Sequence, residues 1–414
     1  MTKSSWSRKK QQEIAFFESF RPARADTNRR MPAMSRRKNT AAHALKQRLG
    51  GHVTESSFEP VQQTIRVGAF RFRYAYQRIH LMHPQAHDDQ PYLRLKWNQK
   101  TTKSFLSYTT TGQSAVSVAL FCARDMYGRR PVLMRSDIYY ETYDFLRTYD
   151  FAILRSNRRN DQRKATIALI DSSTADHRSP ELGEHACAAI IDTTCWSLGS
   201  PIVQHHVDFF LDRNIDVFLV RSHIKIDCLG TEWNRLGSLL FLSRNTEVDR
   251  VRQLRDQYNL HGNFFGVRAE IPAVYPFLKS RRFHRLNEAW IERLQRCNAL
   301  VFDELSSGPP RADVEVRGFH HRLFTWIILK NCDAKTNRER GQLLVKQLNQ
   351  HGVAACFIAS YPWDFLSVTA FMAKHPFSRR RGEFPVIRLS VPDCDDDVLA
   401  MARRVIRRWL DELC

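Results

Sequence analysis

No apolar run in this chain approaches the roughly 20 residues that a membrane-spanning helix needs, so no membrane partner is expected. It has no C-x-x-C pair. Its nine cysteines, at 122, 187, 195, 228, 297, 332, 356, 394 and 414, are scattered and odd in number. A zinc ribbon and a closed disulfide framework are thereby excluded, and reduced thiols in a cytoplasmic protein are expected. There is no internal repeat and no low-complexity tract. Met1–Lys10 is polar and charged, without the apolar core of a secretory signal. An Arg- and Ser-rich transit segment stays open, with Glu13 and Glu18 against it. Two histidine doublets, His205-His206 and His320-His321, are poor chelators if they lie on strands, because strand neighbours point to opposite faces; no metal is expected.

Acidic residues are also short, 43 Asp/Glu against 64 Lys/Arg, for a net charge of +21. Residues 1–50 carry 13 Lys/Arg and 3 Asp/Glu, so +10 of the excess lies in the first eighth of the chain. Such an arm can bind nucleic acid or an acidic surface. Its aromatic residues, Trp6, Phe16, Phe17 and Phe20, are too few and too clustered for a stacking platform. A solvated, partly irregular extension is therefore expected, and nucleic acid is not expected as a partner.

What is present is enough apolar residue, 43% of 414, for two or three domains. Residues 1–60 read as the basic arm, with a short helix around Ile14–Phe20. Residues 61–305 read as a large α/β domain. Ser114–Arg124 has the spacing of a buried helix, Val132–Met134 of a short strand and Tyr140–Tyr149 of a helix. Apolar runs at 166–170, 187–191, 215–220 and 237–242 predict strands. Their continuity implies a parallel or mixed sheet covered on both faces. His284–Leu305 predicts a connecting helix that breaks at Gly308-Pro309-Pro310. Residues 306–414 read as a small α+β domain, with strands at 324–329, 354–359 and 385–391 and helices at 337–350 and 395–413.

Four positions carry chemistry. Lys225 follows the apolar run Ile215–Val220, where lost hydration favours a neutral, nucleophilic amine; the plain alternative is a surface lysine. Asp192 ends the strand Ala188–Ile191 and serves equally as a turn residue or as the partner of a cationic ring nitrogen. Gly112 in Thr110-Thr111-Gly112-Gln113-Ser114-Ala115 opens a helix, so it either caps it or lets an anion approach the amides. Arg388 lies between Ile387 and Leu389 in a strand, and a lone guanidinium there needs a carboxylate or phosphate.

In this order the segments resemble the fold-type-I pyridoxal-phosphate enzymes, most closely the cystathionine synthase and lyase branch of Cys/Met metabolism. Thr111-Gly112-Gln113-Ser114-Ala115 resembles the phosphate loop T-G-M-S-A. Asp137-Ile138-Tyr139-Tyr140-Glu141-Thr142 resembles D-x-Y-G-G-T, whose tyrosine stacks on the cofactor. Asp192-Thr193-Thr194 resembles D-N-T, and Ser200-Pro201-Ile202-Val203-Gln204 the following S-P-x-x-Q. Ser222-His223-Ile224-Lys225 resembles S-x-T-K, with serine on the phosphate and lysine as Schiff base. Arg388-Leu389-Ser390-Val391 resembles R-L-S-V, whose arginine grips the substrate carboxylate. Tyr76-Gln77-Arg78 resembles the Y-S-R that reaches a partner subunit. Both glycines after the stacking tyrosine are replaced, N-P-T is missing, and Ser360-Tyr361-Pro362-Trp363 stands where S-L-G-G would be.

The resemblance covers residues 75–414 and implies an aminotransferase-like α/β fold holding pyridoxal 5'-phosphate. It implies Lys225, Asp192 and Tyr139 as catalytic residues, with Gly112, Gln113, Thr194 and Ser222 on the cofactor and Arg388 on an amino-acid substrate. The reaction implied is elimination or replacement at the β or γ carbon, in a homodimer or dimer of dimers. Transamination of an amino acid or amino sugar is the alternative. A catalytically degenerate member acting as a basic binding module is the alternative of another class.

Overall fold

Four apolar stretches form the centre of the larger sheet: β6 (Thr166–Asp171), β7 (Ala186–Asp192), β8 (Asp216–Ser222) and β9 (Gly237–Ser243). Nearly every residue in them is buried, as expected when helices cover both faces. The computed structural model describes residues 5–19, 37–38, 41, 63–67, 70–74, 92, 95–135, 138–155, 165–174, 185–231, 235–246, 248–266, 280–308, 311–374 and 383–413. Tyr76-Gln77-Arg78, Asp137 and Pro309-Pro310 lie outside them.

The chain divides into two compact units, one of residues 59–224 and 234–280, the other of residues 1–58, 225–233 and 281–414. The expected boundary at 305/306 thus falls after the long helix, which groups with the C-terminal elements, and the Lys225 segment groups with them too.

The first unit holds a seven-stranded sheet in the order β3-β9-β8-β7-β6-β4-β5, completed by β3 (Lys103–Thr109), β4 (Val132–Met134) and β5 (Ile153–Arg155). Strand β9 runs antiparallel to both its neighbours, and β8, β7, β6, β4 and β5 are parallel. A separate hairpin pairs β1 (Gln63–Val67) with β2 (Phe70–Tyr74). Helix α2 (Gly112–Tyr127) packs on β7, β8 and β9, with Ala115, Val116, Val118, Ala119, Leu120 and Ala123 buried. Its start is fixed by Thr111, whose hydroxyl accepts from the Ser114 amide at 3.0 Å. Helices α3 (Tyr140–Thr148), α4 (Pro201–Leu211) and α5 (Arg250–Phe264) complete the unit. The doublet His205-His206 lies on α4, not on a strand: His206 is buried and His205 exposed. Among the described residues no group of three or more His, Cys, Asp or Glu is placed to hold a metal ion. Nor is any described helix long and apolar enough to cross a membrane.

The other unit holds α1 (Ser5–Glu18), the 26-residue α6 (Arg281–Ser306), α7 (Ala334–Gln350) and α8 (Asp396–Glu412). Its five-stranded sheet has the order β10-β11-β14-β13-β12: β10 (Val314–Arg317), β11 (Thr325–Leu329), β12 (Ala355–Phe357), β13 (Leu366–Lys374) and β14 (Glu383–Ser390). Leu399, Ala402, Ile406, Trp409 and Leu410 of α8 fill one core with Ile387 and Leu389 of β14. At about 1.5–3 kcal/mol for each large apolar side chain, such a stripe outweighs the weak propensity of an arginine-rich helix.

Helix α1 corrects the expectation of an irregular, solvated arm over its residues. Phe16 and Phe17 are buried, and so are Lys10 and Glu13. Lys10 Nζ lies 3.0 Å from both Glu13 and Asp364 and 3.3 Å from Asp393. Lys38 meets Glu13 at 3.1 Å and Asp364 at 2.6 Å, and Arg293 meets Glu13 at 2.7 Å and Asp393 at 2.8 Å. Three cations balance three carboxylates. Burial alone would raise the Glu13 carboxyl, but Lys10, Lys38 and Arg293 hold it down to about 2. Part of the sequence's basic excess is therefore spent inside the protein.

Candidate active site

The sequence-predicted residues fall into two groups, one in each unit. In the first unit they collect at the C-terminal edge of the large sheet, where α/β proteins place their ligands. Asp192 is the last residue of β7, Ser222 the last of β8, and Gly112 the first of α2. Thr194 joins two of them: its amide donates to Asp192 Oδ1 at 2.8 Å, and its hydroxyl accepts from the Ser222 amide at 2.9 Å. Gly112 abuts Ser222 so closely that a Cβ would stand 2.4 Å from Ser222 Cβ, so only glycine lets the helix start there. The glycine is thus required by β8 itself, whatever else approaches the helix. The first amides of a helix have no intrahelical acceptor and carry its positive end. Beside them the buried Gln113 Nε2 has no hydrogen-bond partner among the described residues, while Gln113 Oε1 accepts from Thr142 at 3.4 Å.

The electrostatics of Asp192 are unusual. Burial and the neighbouring Asp171 carboxylate push its carboxyl up to about 7, against the Thr194 hydroxyl and amide and the Arg221 guanidinium, which pull it down. Arg221 is itself buried and donates to the carbonyls of Thr193 and Trp196, the latter at 2.7 Å, which braces the turn after Asp192. A half-buried carboxylate with a like charge beside it would gain from a cationic partner.

Tyr139 caps the start of α3, with its ring partly exposed and 4.9 Å from that of Tyr140. Burial, then Glu141 and Tyr140, raise its hydroxyl above the ordinary tyrosine range, so it is a neutral phenol. Sequence reasoning missed what places it: its amide donates to Asp171 Oδ2 at 2.7 Å. The signal was an aspartate one residue past a predicted strand, a position where turn residues are common.

In the other unit Lys225 Nζ donates to Ser360 Oγ at 2.8 Å and lies 5.2 Å from the centre of the Tyr361 ring. Arg388 lies over the same ring at 4.5 Å. Its Nη2 donates to the Ala359 carbonyl at 2.7 Å and to Thr369 Oγ1 at 3.0 Å. The structure thus brings Lys225 and Arg388 to one aromatic ring, with Ile387 and Leu389 turned into the core behind them. The segment after Lys225 is clamped. Asn287 Nδ2 donates to the Ile226 carbonyl at 2.7 Å, and Lys38 of the ion cluster donates to the Leu229 carbonyl. The sequence singled out Ser360-Tyr361 without a role; Asn287 and Lys38 gave no signal at all.

Neither a family model nor a curated protein matches this chain. Solved structures do resemble it. One is an O-acetylhomoserine (thiol)-lyase candidate of Campylobacter jejuni carrying a pyridoxyl-lysine phosphate, with 14% identity, a TM-score of 0.50 and coverage of 96% of this chain and 99% of that one. Another is an aromatic amino acid aminotransferase with 3-indolebutyric acid, with 12% identity, a TM-score of 0.50 and coverage of 89% and 87%. At such identities the likeness is one of fold: the chain has the aminotransferase-like α/β fold.

Proposed function

We propose that the protein binds pyridoxal 5'-phosphate and acts on an amino acid, by elimination or replacement at the β or γ carbon. The observation that carries this reading is the sheet edge itself, where Thr194 is hydrogen-bonded to both Asp192 and Ser222, and Ser222 packs directly against Gly112 at the start of α2. The residues fit the cofactor on two counts. The Gln113 amide lacks a partner beside a helix start that favours phosphate. Asp192 has a raised affinity for a proton, which a ring nitrogen could share.

In this reading Gln113, Ser222 and the first amides of α2 bind the phosphate. Asp192 and Thr194 hold the ring nitrogen, Tyr139 covers the ring, and Lys225 Nζ is the amine that carries the cofactor. When bound, the cofactor supplies an electron-withdrawing ring that stabilises negative charge on the substrate α carbon. Arg388 orients the substrate carboxylate through its planar fork. Lys225 Nζ, which donates to Ser360 Oγ, would also be the group that moves the α proton. The solved structures of this fold include both a lyase and an aminotransferase, so transamination is the second reading. A homodimer or dimer of dimers belongs to the proposal; a cofactor-saturated monomer in light scattering would contradict it.

Borohydride reduction after incubation with pyridoxal phosphate, followed by peptide mapping, tests the reading. The label is expected on Lys225. A label on another lysine, such as Lys164 or Lys279, overturns the assignment, and no saturable label overturns the cofactor.

A further inference from the structure

Asp171 touches two residues of the candidate site, Tyr139 and Asp192, and its geometry is well defined. It ends β6, is buried, and pairs in register with Asp192 on β7. Its two carboxylate oxygens are held by two amides: Tyr139 N–H donates to Oδ2 at 2.7 Å and Ser173 N–H to Oδ1 at 2.7 Å. Both oxygens are thus engaged as acceptors by main-chain N–H groups. The segment behind it is stitched to the turn after β7: the Ser172 amide donates to the Asp192 carbonyl at 3.0 Å, and the Cys195 amide donates to Ser172 Oγ at 2.8 Å.

We propose that Asp171 is a positioning residue of the candidate cofactor site, fixing the Tyr139 end of α3 by its main chain and placing a second negative charge beside Asp192. Both effects follow from one fact of topology. Adjacent parallel strands that end level bring their last side chains together, and here both last residues are carboxylates. A like charge so near makes Asp192 keep its proton longer, and a cationic ring nitrogen is the partner that relieves the pair. Among the described residues, Arg221 on β8 acts on Asp192 in the opposite sense to Asp171 but is tied to two carbonyls. Helix α2, which also packs on β7, has its only charges, Arg124 and Asp125, at its far end. A structural brace alone would hold Tyr139 just as well with a neutral acceptor; the negative charge is what separates the two roles.

This inference rests on the pyridoxal-phosphate reading, and its test separates the two. Cofactor-free wild type, Asp171→Asn, Asp171→Ser, Asp192→Asn and Asp171→Asn/Asp192→Asn are melted across pH 5–9, and each is titrated with pyridoxal phosphate over the same range. Asn keeps one acceptor oxygen for the Tyr139 amide, and Ser removes the charge without turning an amide N–H toward the Ser173 amide, so either can be read if the other fails to fold. With Asp192 present, removing the Asp171 charge should move the pH at which Asp192 ionises down by about one unit, seen in the melts and in the acid limb of cofactor affinity. With Asp192→Asn in place, the same substitution should move neither. Unmoved profiles, or the same movement in the Asp192→Asn background, overturn the coupling. Absence of saturable cofactor binding by the wild type overturns the cofactor reading and Asp171's part in it, whatever the melts of the cofactor-free protein show.

Discussion

Two groups of buried charge in this molecule have opposite characters. In the C-terminal unit Lys10, Lys38 and Arg293 face Glu13, Asp364 and Asp393, cation for carboxylate, and Glu13 is held down to about 2. At the edge of the large sheet two carboxylates, Asp171 and Asp192, end adjacent strands, and Asp192 is pushed up to about 7. The first arrangement is satisfied and holds the N-terminal helix in place. The second is satisfied for Asp171, by its amides, and strained for Asp192. Compensated burial fits a structural role, whereas a carboxyl raised by a like charge is one that the proposed cationic ring nitrogen would relieve.

The strongest way to break the comparison is Glu13→Gln. It leaves two buried lysines and the partly buried Arg293 facing two carboxylates, and removing one partner of a buried ion group costs about 3–5 kcal/mol. Urea unfolding should show that loss, with α1 the first element to lose amide protection. If the cost is below about 1 kcal/mol, the cluster is not the latch. Pairing it with Lys38→Met should recover part of the loss, since the two contacts are coupled.

Asp192→Asn comes next. It should reduce turnover by about 10²–10³-fold, roughly 2.7–4 kcal/mol, while cofactor binding is partly retained. Full activity in that variant would sink the mechanism. Arg388→Lys loses the planar fork and should weaken substrate affinity by about ten- to a hundredfold with the cofactor spectrum unchanged. Loss of cofactor instead would move Arg388 out of the substrate's reach.

The gentlest test uses pH, and its two signs are opposite. The Glu13 carboxyl is depressed in the folded protein, from 4.5 to about 2, so its stabilisation is complete above 4.5 and lost as pH falls toward 2. The Asp192 carboxyl is raised, from 3.8 to about 7, so the cofactor-free fold is favoured below 3.8 and loses that advantage as pH rises through about 7. Cofactor-free Asp192→Asn should therefore be more stable than wild type at about pH 8 and equal to it at about pH 4. Equal stabilities at both values would remove the strain from the sheet edge.

Much of this was legible in the sequence where the signal was local. The apolar runs at 166–170, 187–191 and 237–242 lie within β6, β7 and β9, and the helices expected at 284–305 and 337–350 lie within α6 and α7. Strand β3 and helix α5 gave less away: Lys103 and Ser104 in the one and the arginines of the other mask the period, and tertiary contact overrides it. Strand β13 was missed although most of its residues are apolar, because Ala370–Ala373 run on without alternation and blur the strand period.

The residue types at each chemical position were set by the sequence alone: a glycine before a helix, an acid after one strand, a lysine after the next, an arginine within a late one. Order along the chain was enough to single them out, because each is placed within or at the end of a strand or helix by its own flanking residues. Which of them meet was decided only by the tertiary structure. Asp171 and Asp192 are 21 residues apart and are joined by strand register. Glu13 and Asp364 are brought to one lysine by the burial of α1. No local rule carries such pairings, since the energy of a charge depends on what the folded chain places within a few ångströms of it.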